Sequence, residues 1–197
     1  IQEASVEMTA TRPTVALAST RQVRDEYIAP QDLARLQAFA DFQFEEFNEA
    51  SNWDMPPATS PEVEARFVAL CRQSDALIVC HGSPRVTGKT LAAAPRLKLI
   101  GELEGDRFAQ RIDVQAAAAR GVKAMDTTHG SSYPVSEWAL AMMMIGLRNA
   151  GAHFRRLIAG GGWMSMEQRQ ADFGYQKGEL TGRTVGLIGC GHIGRRL

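Results

Sequence analysis

Between residues 14 and 126, short apolar runs alternate with segments of helical periodicity, and few folds accommodate that alternation. The runs TVALAST (14–20), DFQFEEF (41–47), ALIVC (76–80), LKLIGEL (97–103) and VKAMD (122–126) have the length and apolar character of strands. Between them lie helical patterns. One spans about 31–39, with Leu33, Leu36 and Phe39 on a single face. A second opens at Pro61 and places Val63, Phe67, Leu70 and Cys71 on one side. A third is short, near 90–94. A fourth runs over 113–121, with Asp113 at its start and Gly121 as its stop. Proline and serine mark 51–61 as loop. Strand–helix alternation of this kind predicts a parallel sheet with helices on both faces, in the α/β class.

Composition narrows the partners. Lys plus Arg and Asp plus Glu number 22 each, a balance that argues against a polybasic nucleic-acid surface. The longest apolar run, 138–147, is about half the length a membrane-spanning helix needs. The three cysteines form no C-x-x-C pair, and reduced thiols in a cytoplasmic protein are the simplest reading. The four histidines are scattered, so no metal site is expected. Nothing resembles a secretory signal at the start. Met8 is expected to be the native first residue, with 1–7 an added scar.

Past residue 130 the pattern changes. A long helix is expected from about Pro134 to Ala159, with Ser131 or Ser132 as its cap. Its 138–147 portion is apolar all round, so it needs cover on every side. One sheet covers one face of a helix, and a second domain or a second subunit must supply the rest. A loop over 160–182 then leads to TVGLIGCGHIGRRL. Val185, Leu187 and Ile188 read as a buried strand, followed by Gly189-Cys190-Gly191-His192-Ile193-Gly194, a G-x-G-x-x-G turn, and the first turn of a helix. In strand–turn–helix context this is a phosphate cradle for a dinucleotide. Alone, it also fits a glycine turn in another α/β unit. An acidic residue roughly 20 positions later is expected to meet the ribose. The sequence stops first, so a fragment, or part of a longer chain, is expected.

These features together resemble the NAD-dependent D-2-hydroxyacid dehydrogenases. The resemblance rests on PRLKLIGELEGDRFAQRIDVQAAAARGVKAMDT, on GSSYPVSEWALAMMMIGLRN and on GGGWMS followed by GELTGRTVGLIGCGHIG. It implies a flavodoxin-like substrate domain over 1–130, without its C-terminal return segment, and the beginning of a Rossmann domain over 131–197. It implies hydride transfer between NAD or NADP and a small 2-oxo or 2-hydroxy acid. The apolar 134–159 helix, not the resemblance, suggests a homodimer joined through it, with burial inside one chain as the alternative, and the charge balance and short apolar runs give no role to nucleic acid or membrane. The family's catalytic histidine, arginine and carboxylate lie after the glycine motif, so none is carried over and the 197 residues alone are expected to be inactive. Cofactor contacts map to Gly189, Gly191, His192, Ile193 and Gly194. Substrate contacts map to His81, Gly82 and Ser83, and to Leu103, Glu104 and Gly105. His81 also reads as a turn residue bonded locally.

The second of these loops departs from the family pattern. It is about two residues longer and carries Glu102, Glu104 and Asp106, which would repel an anionic substrate unless they face water or pair with Arg107 or Arg111. The alternative to an enzyme is a dehydrogenase-like protein that senses dinucleotide or dimerises without catalysis.

Overall fold

Five strands, β1 (Thr14–Ser19), β2 (Asp41–Glu46), β3 (Ala76–Val79), β4 (Leu99–Glu102) and β5 (Lys123–Asp126), form one all-parallel sheet in the order β2-β1-β3-β4-β5. This is the flavodoxin-like order. The structure is a computed structural model that describes residues 11–50, 55–105 and 108–197. The expected start at Met8, positions 51–54 of the proline-rich loop, and Asp106 and Arg107 lie outside the described residues. The backbone divides into two compact units, Ile1–Thr128 and His129–Leu197.

In the first unit, most helices start at a polar capping residue or a proline. Thr20 caps α1 (Arg21–Tyr27), a short helix not expected from the sequence. Pro30 opens α2 (Pro30–Gln37). Ser60 caps α3 (Pro61–Arg72), with Pro61 in the first turn. Thr87 and Thr90 form a reciprocal capping box on α4 (Gly88–Ala93). After α5 (Phe108–Arg111), Asp113 caps α6 (Val114–Ala119) through the Ala116 N–H at 2.9 Å.

The core lies on one side of the sheet. Phe67, Leu70 and Cys71 from α3 and Leu91 from α4 pack with Ala117 from α6 against Ala16, Leu77, Val79 and Ile100. Phe47 meets Phe67 edge to face at 5.6 Å between ring centroids. The opposite face is partly open. Val15, Ile78, Leu99, Gly101 and Met125 line a groove of about 930 Å³, and Met125 is 56% exposed.

The second unit corrects two expectations. The helix expected over 134–159 is two helices, α7 (Ser132–Leu147) and α8 (Ala150–Ile158). Asn149 breaks it by adopting a left-handed φ of 53°, a conformation that Asn tolerates better than most side chains. The broken corner is packed by α10 (Phe173–Lys177), which with α9 (Met166–Ala171) makes much of the expected 160–182 loop helical. A Cβ on Gly174 would lie 2.6 Å from the Arg148 carbonyl carbon, so only glycine lets the two backbones approach. Asp172 caps α10 and accepts from the Asn149 amide at 3.1 Å.

Residues 184–188 form no strand either, and Ile188 is fully exposed. A strand needs ladder partners on at least one side, and none of the described residues pairs with this segment.

Candidate functional site

In a doubly wound parallel sheet, ligands bind outside the carboxyl ends of the strands, where the strand order reverses. Here the order reverses between β1 and β3. The backbone there is fastened tightly. The Thr20 N–H donates to the His81 carbonyl at 2.8 Å, joining the ends of β1 and β3, and the Glu49 N–H donates to the Gly82 carbonyl at 3.0 Å. Gly82 has φ +83°, and a Cβ there would collide with the Phe47 carbonyl oxygen, so the turn requires glycine. Ser83 is buried, and its hydroxyl donates to the Pro84 carbonyl at 2.9 Å.

The carboxyl end of β4 meets this turn. Leu103 donates its N–H to Val79 at 3.1 Å, and Glu104 donates its own to the Glu102 carboxylate at 3.1 Å. Arg111, fully buried, is the hub. Its Nη1 donates to Glu102 Oε1 at 2.8 Å and to Glu104 Oε2 at 2.5 Å, and its Nη2 lies 3.3 Å from His81 Nδ1. The His81 Nε2 is 2.5 Å from Glu104 Oε1. A guanidinium only donates, so Nδ1 must accept and the ring proton sits on Nε2, donating to Glu104. Both ring nitrogens are thus engaged within the cluster. The edge of Tyr27 flanks the ring, with centroids 6.2 Å apart.

The charges are mutually adjusted. Burial pushes the Glu102 carboxyl up to about 6, against the opposing pull of Arg111. Burial works against the Arg111 charge, but Glu102 and Glu104 outweigh it and hold the guanidinium firmly protonated. Cys80 lies beside the cluster, with its sulfur and the two carboxylates within 4.8 Å of one another. Burial raises the Cys80 thiol to about 12, which keeps it protonated, and a guanidinium already bridges both carboxylates. The set therefore behaves as an ion-pair cluster rather than a metal cage.

Of the substrate-loop positions read from the sequence, His81 and Glu104 are in direct contact. Gly82 and Ser83 shape the turn, and Leu103 and Gly105 flank the carboxylates. Arg111 emerges as the residue that joins the two loops. Glu102 ends β4 and Glu104 follows two residues later in the turn, so their closeness was readable from the sequence. The contact of Glu104 with His81 crosses strands and was not.

The glycine turn belongs to the second unit. Gly189 has φ +90°, and the Arg195 N–H donates to the Gly191 carbonyl at 3.1 Å, closing one helical turn. A Cβ on Gly191 would meet no atom within 4 Å, so the backbone there is approachable. The His192 ring rests on that of His129, with centroids 3.4 Å apart, and Arg196 lies over Tyr133 at 3.6 Å. Desolvation, then the neighbouring His129, Arg195 and Arg196, lower the His192 pKa. An open backbone turn beside basic side chains suits a phosphate. The strand and helix expected to flank it are not formed.

No family model matches the chain. It is 30% identical over 150 residues to D-3-phosphoglycerate dehydrogenase of Mycobacterium leprae, covering 70% of this chain and 26% of that protein. It is 30% identical over 122 residues to hydroxypyruvate reductase of Thermotoga maritima, covering 61% and 36%. The fold superposes on a phosphoglycerate oxidoreductase from Rhizobium etli with a TM-score of 0.63 at 18% identity, over 93% of this chain and 50% of that one. The chain thus spans well under half the length of the curated relatives it matches, and half of that solved structure. In sequence the chain is similar to dehydrogenases and reductases of the D-2-hydroxyacid type, and it shares its fold with the solved phosphoglycerate oxidoreductase.

Proposed function

We propose that the protein transfers a hydride between NAD or NADP and a small D-2-hydroxy acid or its 2-oxo acid. The observation that carries this reading is the sheet order β2-β1-β3-β4-β5 with His81 and Glu104 brought together at its carboxyl end. Ligands bind outside that end of such a sheet. The turn over Gly189, Gly191, His192, Ile193 and Gly194 would hold the cofactor's phosphates through backbone N–H groups. When bound, a nicotinamide supplies or accepts the hydride.

A proton must move on the oxygen that the hydride transfer creates or consumes. His81 is not placed for that task, because both of its ring nitrogens are engaged with Arg111 and Glu104. Residues 1–197 by themselves are therefore expected to be inactive. The chain's own contribution is to position the acid and to hold the cofactor's phosphates. The protein is read as cytoplasmic, consistent with its three free thiols, and as a homodimer.

The test is NADH and NADPH oxidation against a panel of 2-oxo acids, including glyoxylate, pyruvate, hydroxypyruvate and 3-phosphohydroxypyruvate. Turnover is expected with the whole protein and not with residues 1–197. Failure of the whole protein with every acid and both cofactors would overturn the reading. Retained NADH binding in that case would favour a dinucleotide sensor.

A further inference from the structure

We propose that Arg111 and His81 form a fork for the carboxylate of a small-molecule ligand, with Glu104 as its built-in occupant, displaced when the ligand binds. The proposal rests on the dehydrogenase reading only for the class of ligand, a 2-oxo monocarboxylate. The geometry is that of a bound carboxylate. One Glu104 oxygen takes Arg111 Nη1 at 2.5 Å and the other takes His81 Nε2 at 2.5 Å. The Arg111 Nη2 contact to His81 Nδ1 fixes the proton on Nε2, so both prongs are donors aimed at a single acceptor group.

Position separates the two glutamates of the cluster. Glu102 belongs to β4, is sealed from solvent, and takes Arg111 Nη1 at 2.8 Å from beneath. Glu104 lies beyond the strand, next to Gly105, and its side chain is 20% exposed while Arg111 beneath it is fully buried. It stands between the guanidinium and solvent. Exchanging the Glu104 carboxylate for a ligand's carboxylate leaves the charge around Arg111 unchanged, so the buried guanidinium is never left short of a partner.

The experiment uses the 197-residue chain labelled with ¹⁵N-histidine, titrated with sodium pyruvate and read at the His81 ring, with assignment by His81→Gln. Wild type is expected to show a saturable shift of the His81 ring nitrogens. Glu104→Gln, which keeps the size but loses the charge-assisted bonds, is expected to bind pyruvate about tenfold or more tightly. Glu49→Gln, at the same end of the sheet, is expected to leave the affinity unchanged. An unmoved His81 signal in both wild type and Glu104→Gln, equal affinity in the two, or equal tightening by Glu49→Gln would overturn the proposal. Turnover by the whole protein with no change in KM on Glu104→Gln would overturn it while leaving the dehydrogenase reading standing. A saturable pyruvate shift without turnover on any acid would do the reverse.

Discussion

Glu102 carries the pH response of the carboxyl end of the sheet. Its carboxyl is raised from 4.5 to about 6 because burial penalises the charge more than Arg111 favours it. The folded state therefore holds this proton more tightly than the unfolded chain. The resulting stability is full below about pH 4.5 and is lost as pH rises through 6, amounting to about 2 kcal/mol. Asp25, Glu46, Asp75 and Asp172 are shifted downward and tilt the total the other way. The measurement is therefore a difference. Urea unfolding of wild type and Glu102→Gln at pH 4.5 and pH 7 should show wild type losing about 2 kcal/mol relative to the variant as pH rises. No change in that difference would mean that Glu102 titrates alike in the folded and unfolded chain. Arg111→Ala should be harsher, costing about 3–5 kcal/mol at pH 7, because it strips the cation from two carboxylates, one of them fully buried. The identities in this cluster were legible in the sequence as a knot of acidic and basic residues in an unusual loop. The fork itself was not, because it depends on which strand lies beside β4.

Elements whose boundaries are set by local chemistry were the readable ones. Ser60-Pro61 and Asp113 mark helix starts through their own backbone bonds, and the alternation of Phe42 and Phe44 marks β2. Where a neighbour decides, the sequence was silent or misleading. The break at Asn149 lies inside a continuous helical pattern, and what stabilises it is Asp172 and the close approach of Gly174, more than 20 residues away. Asn149→Ala should cost about 1–2 kcal/mol from the left-handed φ alone, and Asn149→Gly clearly less, since glycine adopts that region freely. Equal losses for the two variants in thermal or urea unfolding would assign the cost to the lost amide bond to Asp172 instead. Residues 184–188 show the same dependence from the other side. Their composition is that of a central strand, and without ladder partners they form none and stay exposed.

At the scale of the whole molecule, the question is what covers the apolar surface of the second unit. Trp138, Met142 and Ile145 recur at helical spacing on α7 and are all substantially exposed, Trp138 at 66%. Phe154, Leu157 and Ile158 repeat the pattern on α8. Exposed apolar surface of that extent marks an interaction face. A second copy of the chain is the occupant expected from the all-round apolar 138–147 stretch, and a twofold contact would set the same stripe against itself. Light scattering coupled to size exclusion should then give a dimer mass that dissociates on dilution. Trp138→Glu places a charge in the middle of the stripe and should weaken association by about 30-fold or more, the scale of an interface hot spot. The fold of the first unit should be untouched, so far-ultraviolet circular dichroism of the variant should match wild type. A monomer at every concentration would mean that α7 and α8 are covered by a different partner, and the dimer would have to be abandoned even if the protein proves to be a dehydrogenase.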